Sequence, residues 1–236
     1  MGDRGDSQNG DDEHPAAPVE YRQHRFAVPP GAVDLTLIRH GESEPARPNE
    51  SFPMVDGHGD PALHPAGHAQ AQAVAERLGG EHFDALYVTT LRRTHQTLAP
   101  LAAQLGMTPA VEPDLREVCL GDWDGGLYRI KAAEQDPIFM ASIETGEWGL
   151  IPGAETTAAV QARVGAALDR MAAVHGDQRV AACVHGGIIA AVMALATGAR
   201  PFAFLGAENG SIHRLVLHET RIRVRTFNDT GHLAKA

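Results

Sequence analysis

The chain has 236 residues, 43% hydrophobic and 21% charged, enough apolar material for one packed domain and too much for a chain disordered throughout. Its formal net charge is -10, an acidic balance that excludes general nucleic-acid binding. No run of eighteen apolar residues exists, so no membrane-spanning helix is predicted.

Half of the net charge lies in the first twenty residues, where Asp3, Asp6, Asp11, Asp12, Glu13 and Glu20 stand against Arg4 alone. That segment has few large apolar side chains to offset its ordering entropy, so residues 1–32 are expected to form a disordered acidic tail and residues 33–236 the domain. The tail lacks the basic start and apolar stretch of a secretory signal. The expected location is therefore the cytoplasm. Cys119 and Cys183, far apart and among apolar neighbours, read as reduced buried thiols rather than a disulfide.

In chain order, residues 34–38 form a short apolar strand, and residues 65–78 a helix opened by Pro65 and closed by Gly79-Gly80. A second strand is predicted over 84–88. The next helix, 91–105, carries Leu91, Leu98, Leu101 and Leu105 at helical spacing and stops at Gly106. Between Gly125 and Gly153 the pattern is mixed, with a helix predicted over 128–141 and loop after it. Residues 156–174 are helical, with Val160, Val164, Leu168 and Met171 on one face. A strand over 179–184 and a helix over 187–196 follow, and 211–217 with 221–227 form a hairpin around Glu219-Thr220. Strands alternating with helices predict an α/β fold, a sheet covered on both faces, with ligands beyond the C-terminal ends of its strands.

Chemistry-bearing residues gather at those strand ends. After the first strand stands Arg39-His40-Gly41-Glu42, a cation and an imidazole on a glycine turn suited to an anion. After the strand at 179–184 stands His185-Gly186-Gly187, which opens a helix whose unpaired amides attract phosphate. The helix at 91–105 starts Leu91-Arg92-Arg93-Thr94-His95-Gln96-Thr97, bringing guanidinium groups to the same rim. Glu117, ahead of Gly121-Asp122-Trp123-Asp124-Gly125, offers a carboxyl group for acid–base work.

These four pieces, in this order, resemble the histidine phosphatase superfamily, over about residues 34–233. The arginine-histidine-glycine turn matches Arg39-His40-Gly41, the leucine-x-arginine-x-x-glutamine-threonine start matches Leu91 to Thr97, and the second histidine-glycine pair matches His185-Gly186. The resemblance implies a three-layer α/β/α sandwich with a mostly parallel central sheet, like that of phosphoglycerate mutases. It also implies the roles. His40 attacks phosphorus and becomes phosphohistidine, Arg39, Arg93 and His185 bind the phosphoryl oxygens with Ser43 and Gly186 beside them, and Glu117 protonates the leaving oxygen. No metal and no cofactor is implied. Many relatives carry threonine and asparagine where this chain has Ser43 and Ala46; Asn49 is the candidate substitute.

Nearby arginines disfavour a charged imidazole, so His40 is expected to stay neutral at lower pH than a free histidine, and Glu117 to hold its proton beside bound phosphate. A mildly acidic activity optimum follows. A metal site at His64 and His68, with His58 and Asp56 near, is the lesser reading; residues 56–60 read as an exposed flexible loop at the site mouth. Arg92 reads as solvated, and Glu155 as a cap for the helix at 156 rather than a substrate ligand. Trp123 and Trp148 suit pocket or core equally.

The loop after Glu117 has no cation until Arg129, which favours a phosphatase acting on a small phosphorylated substrate over a phosphoglycerate mutase. Asp122 and Asp124 argue against a bisphosphorylated one. A non-catalytic phosphate-binding scaffold of the same fold is the reading from another class. A symmetric homodimer is the default expectation for assembly.

Overall fold

The computed structural model describes Gly2 and residues 19–23, 25–219 and 221–235. Most of the expected acidic tail lies outside those residues, and among the described residues from Val19 to Ala32 no helix or strand forms.

Strand β1, Val33–Arg39, is almost wholly buried. Two very short strands, β2 (Met54–Val55) and β3 (His58–Gly59), pair antiparallel as a hairpin. Helix α1 spans Pro65–Leu78 as the sequence predicts; His64 caps it, its Nδ1 accepting from the Ala66 amide at 3.3 Å, and Pro65 occupies the first turn where no amide is needed. Strand β4 is Ala85–Val88, helix α2 Arg92–Leu105 with Gly106 in the left-handed region at its end, and β5 the short Ala110–Val111.

The mixed stretch holds two helices rather than one, α3 (Leu127–Ala133) and α4 (Pro137–Thr145). Gln135, at φ 53, breaks the chain direction, and Asp136 restarts it by accepting the Ile138 amide at 2.9 Å ahead of Pro137. Helix α5 (Thr157–Val174), strand β6 (Arg179–Val184), helix α6 (Gly186–Thr197) and strands β7 (Ile212–His218) and β8 (Arg221–Asp229) complete the order. Thr220, expected in the last turn, lies outside the described residues; Glu219 has φ 53.

The six-stranded sheet has the order β5-β4-β6-β1-β7-β8, in which β5, β4, β6 and β1 run parallel, and β7 runs antiparallel to both β1 and β8. Helices α5 and α6 pack with Leu35, Leu37 and Val180 on one face. On the other, α1 and α2 pack with Ile38, Ala181 and Cys183. This is the three-layer, mostly parallel sandwich, and alternate residues of β1 and β6 feed opposite layers.

One close approach sets the turn after β1. A Cβ on Gly41 would overlap the Gly67 carbonyl, and one on Gly67 would overlap the Glu42 carbonyl. The Gly41 amide is also held by Thr97 Oγ1 at 2.9 Å. Gly67→Ala is therefore expected to cost about 1–3 kcal/mol of unfolding free energy in urea denaturation, as overpacking does; a change below about 0.5 kcal/mol, the range of ordinary surface substitutions, would show that the two backbones can separate freely.

Candidate active site

Because Arg39 lies opposite Val184 in the β1–β6 register, the residues that follow, His40 and His185, emerge side by side. The His40 amide donates to the Val184 carbonyl at 3.0 Å, and the two rings sit 5.1 Å apart between centroids at 61°. His40 Nδ1 lies 2.7 Å from the Gly41 carbonyl. A carbonyl only accepts, so Nδ1 carries the proton and Nε2 presents a lone pair. Arg93, reaching in from the first turn of α2, donates Nε to that Nε2 at 3.2 Å and Nη1 to the Gly59 carbonyl at 2.9 Å.

His185 is fully buried; its Nε2 meets Thr89 Oγ1 at 2.9 Å, and its Nδ1 has no partner among the described residues. Arg39 donates Nη1 to the Ala207 carbonyl, and its buried Nε is likewise without a partner. A Cβ on Gly186 would sit 3.4 Å from the Arg39 guanidinium carbon, so that glycine lets the cation lie against the start of α6. Glu117 Oε1 accepts from the Val118 amide at 3.0 Å and Oε2 from Gly187 at 3.4 Å. His40, Glu117, Arg39, Arg93, Ser43 and Gly186 all line one cavity of about 830 Å³. Such a cavity suits a small organic ligand.

A model of the histidine phosphatase superfamily (branch 1) matches residues 35–230. The chain belongs to that superfamily. It is 29% identical over 206 residues to a metal-independent phosphoserine phosphatase of Arabidopsis thaliana, covering 86% of this chain and 84% of that one. It is 30% identical over 168 residues to a glucosyl-3-phosphoglycerate phosphatase of Mycobacterium tuberculosis, covering 68% and 73%. A solved mycobacterial glucosyl-3-phosphoglycerate phosphatase superposes with a TM-score of 0.71 at 29% identity, covering 84% and 99%. Membership and these names place the chain among phosphatases and mutases.

In this histidine phosphatase domain both imidazoles are held neutral. Burial first, then the charges of Arg93 and Arg39, push His40 well below the ordinary histidine value. His185 is lowered by burial, then by Arg93, His40 and Arg39. Arg93, also buried, comes down to about 10 and keeps its charge at neutral pH; Glu117 works against that shift on both Arg93 and Arg39. The arginines thus act on His40 as predicted, but desolvation is the larger cause.

Several local expectations need correction. Residues 56–60 are not a flexible loop: Asp56 and Gly57, at φ 47 and 79, form the two-residue turn of the β2–β3 hairpin, and His58 and Asp60 are buried. Arg92 is not simply solvated, since Asp60 accepts from its amide at 2.8 Å and its Nε at 2.7 Å. Thr156 Oγ1 caps α5, while Glu155 pairs with Arg163 at 2.8 Å and accepts the Cys119 amide at 2.8 Å. Asp124 lines the cavity and holds the Gly59 amide with one oxygen and the Leu120 amide with the other. Cys119 is partly exposed; only Cys183 is buried. Trp123 and Trp148 serve both roles, buried in the core and lining the cavity.

Asn49 is exposed and does not line the cavity; Asn209 does, donating Nδ2 to the His40 carbonyl at 2.9 Å. Ser43 is in place, but its hydroxyl accepts from Arg129 Nη2 at 2.7 Å. Sequence reasoning named Arg129 only as the first cation after Glu117; the structure places it in the cavity wall, two residues into α3 and just past Gly125-Gly126. Among the described residues no cluster of three His, Cys, Asp or Glu side chains is placed to hold a metal, and His64 is engaged as a helix cap.

His213, bonded to Ser211 Oγ at 3.0 Å and to the Asn228 amide at 3.2 Å, is pushed from 6.5 to about 4 by burial and by Arg39. The folded chain refuses a proton that the unfolded chain takes up, so this stability is whole above the unfolded value and lost as pH falls toward the folded one. His213→Gln is expected to flatten the fall in unfolding free energy between pH 6.5 and 4 by about 1 kcal/mol per pH unit. Urea titrations across that range measure it; an unchanged slope would place the linkage on other groups.

Proposed function

We propose that this chain is a phosphatase that hydrolyses a small phosphomonoester through a phosphohistidine on His40. The observation that carries the reading is the geometry of His40: proton on Nδ1, lone pair on Nε2, buried between Arg93 and His185. The phosphatase names of the relatives support it.

In the first step Nε2 attacks phosphorus in line with the ester bond. The P–N bond forms, the P–O bond breaks, and Glu117 gives its proton to the departing alkoxide, which leaves as an alcohol. Arg39, Arg93, the His185 ring and the Gly186 amide at the start of α6 hold the phosphoryl oxygens, where charge is greatest. In the second step water attacks the phosphohistidine, Glu117 as carboxylate takes the water proton, and the P–N bond breaks to release phosphate. Neutral His40 and protonated Glu117 are restored, and one water has been consumed per ester.

His40→Ala is expected to remove at least about a thousandfold of kcat/KM, the scale of losing a covalent nucleophile, together with the phosphohistidine that rapid quench into alkali would trap in the parent. Unchanged hydrolysis would overturn the nucleophile assignment, and a parent that hydrolyses no phosphomonoester would support the non-catalytic scaffold. Because His40 is held below the usual histidine value and reacts unprotonated, the acidic limb of kcat/KM should lie below pH 6.5, about the free imidazole value. An acidic limb at or above that value would contradict the nucleophile assignment.

Glu117→Gln should slow alkyl phosphates by about a hundredfold or more while slowing an aryl phosphate with a good leaving group much less, since only the poor leaving group needs a proton. Equal losses on both would leave Glu117 a purely structural group. One observation favours the mutase as second reading, namely the presence of Arg129 in the cavity wall. With 3-phosphoglycerate, release of phosphate supports the phosphatase, and 2-phosphoglycerate with little phosphate supports the mutase.

A further inference from the structure

Strands β4 and β6 are neighbours in the sheet, so the residues just beyond them, Thr89 and His185, meet at the same edge. Both are fully buried. Thr89 Oγ1 lies 2.9 Å from His185 Nε2, a contact to which the hydrolysis steps give no role. The threonine is also held by its backbone. Its amide donates to Thr94 Oγ1 at 3.1 Å, and its carbonyl accepts from His95 Nε2 at 2.7 Å. Both partners belong to the start of α2, the helix that carries Arg93.

A hydroxyl can give or take a hydrogen bond, so its neighbours decide the direction. Thr94 has one hydroxyl proton, and it goes to the Leu91 carbonyl at 2.8 Å, which can only accept. The Leu91 amide donates to Thr89 Oγ1 at 3.3 Å and occupies one of its lone pairs. Two acceptors among the described residues then compete for the Thr89 proton, His185 Nε2 at 2.9 Å and Thr94 Oγ1 at 3.3 Å. Thr94 Oγ1 already accepts the Thr89 amide, and the shorter contact to the ring nitrogen takes the proton.

Burial first, then Arg93, His40 and Arg39, keep His185 neutral, so its ring carries a single proton. With Nε2 accepting, that proton sits on Nδ1, the ring atom without a partner among the described residues. The choice of nitrogen matters beside a phosphate. An N–H there donates to a phosphoryl oxygen, whereas a lone pair would repel it.

We infer that Thr89 is a positioning residue, whose hydroxyl donates to His185 Nε2 and so holds the ring in the Nδ1–H form that can donate to a phosphoryl oxygen. Its consequence for catalysis rests on the phosphatase reading above; the place of the proton is a property of the free protein. The two imidazoles of the site are then set for opposite tasks. The Gly41 carbonyl holds the His40 proton on Nδ1 and frees Nε2 to attack, while Thr89 fills Nε2 of His185 and leaves Nδ1–H to donate.

Long-range proton–nitrogen NMR of the full-length protein at neutral pH, with the His185 signals assigned by their loss in His185→Ala, reads the proton directly. Hydrogen on Nδ1 and a bare Nε2 are expected. Hydrogen on Nε2, or on both nitrogens, overturns the assignment, because Thr89 would then be the acceptor.

Thr89→Val keeps the shape without the donor and is expected to lower kcat/KM for para-nitrophenyl phosphate about ten- to a hundredfold, the worth of a hydrogen bond to a charged group. Thr89→Ser, which keeps the hydroxyl, should stay within about threefold of the parent. Placed in His185→Ala, Thr89→Val should cost less than about threefold, since the group it acts through is gone. An unchanged Thr89→Val, an equal loss in Thr89→Ser, or a full loss in the His185→Ala background each overturns the inference, the last because Thr89 would then act through the fold of α2. If Thr89→Val does not fold, the parent spectrum and Thr89→Ser still decide. Failure of the phosphatase reading looks different, as a parent that releases phosphate from no ester, and the spectrum then decides the place of the proton alone.

Discussion

Parallel pairing of β1 with β6 is the contact on which the site depends. The register that sets Arg39 beside Val184 makes both strands end at the same level, so one imidazole and then the other leaves the sheet at a single point. Strand β4, on the far side of β6, ends at the same edge and delivers α2 with Arg93. A parallel sheet thus converts three distant segments into one anion pocket, and a one-residue slip would turn each imidazole toward the wrong layer.

Burial then does most of the chemical work. In water a histidine is partly protonated near neutrality, and a protonated ring is no nucleophile. Here desolvation and two guanidinium charges act in the same direction on His40, and its hydrogen bond from Nδ1 to Gly41 leaves the reactive nitrogen on the cavity side of the ring. The cationic character of the pocket coexists with a chain of net charge -10, because pairwise effects over a few ångströms in a poorly solvated pocket outweigh a diffuse, screened surface charge.

Most elements were legible from periodicity and punctuation. The residues 65–78 and 179–184 predicted as helix and strand match α1 and β6 end to end, since Pro65 and Gly79 mark the helix and a continuous apolar run marks a strand buried on both faces. His40, Arg93, Glu117 and His185 were legible because each sits at a strand end, a helix start or a glycine turn. The β2–β3 hairpin was not: its strands are two residues each, too short for alternation, and only the Asp56-Gly57 pair with left-handed φ values signals it. The place of Arg129 in the cavity wall was not legible for another reason. A residue on a short helix shows no preference in sequence for which wall it faces, and that direction comes from how α3 packs beside the loop at 121–126.

The hairpin explains why acidic side chains surround a site for anions. Asp60 ties it to the first turn of α2 through Arg92, and Asp124 ties its Gly59 amide to the loop after Glu117. The Gly59 carbonyl in turn accepts from Arg93. These carboxylates are anchored on amides and on a guanidinium outside the pocket, so they fasten the hairpin while their charge supports the protonated form of Arg93. Arg93 is consequently gripped at one nitrogen by Gly59 and at another by His40 before any substrate arrives. Donors fixed in advance need no reorganisation when charge develops on a transferring phosphoryl group, which is the condition for strong electrostatic stabilisation.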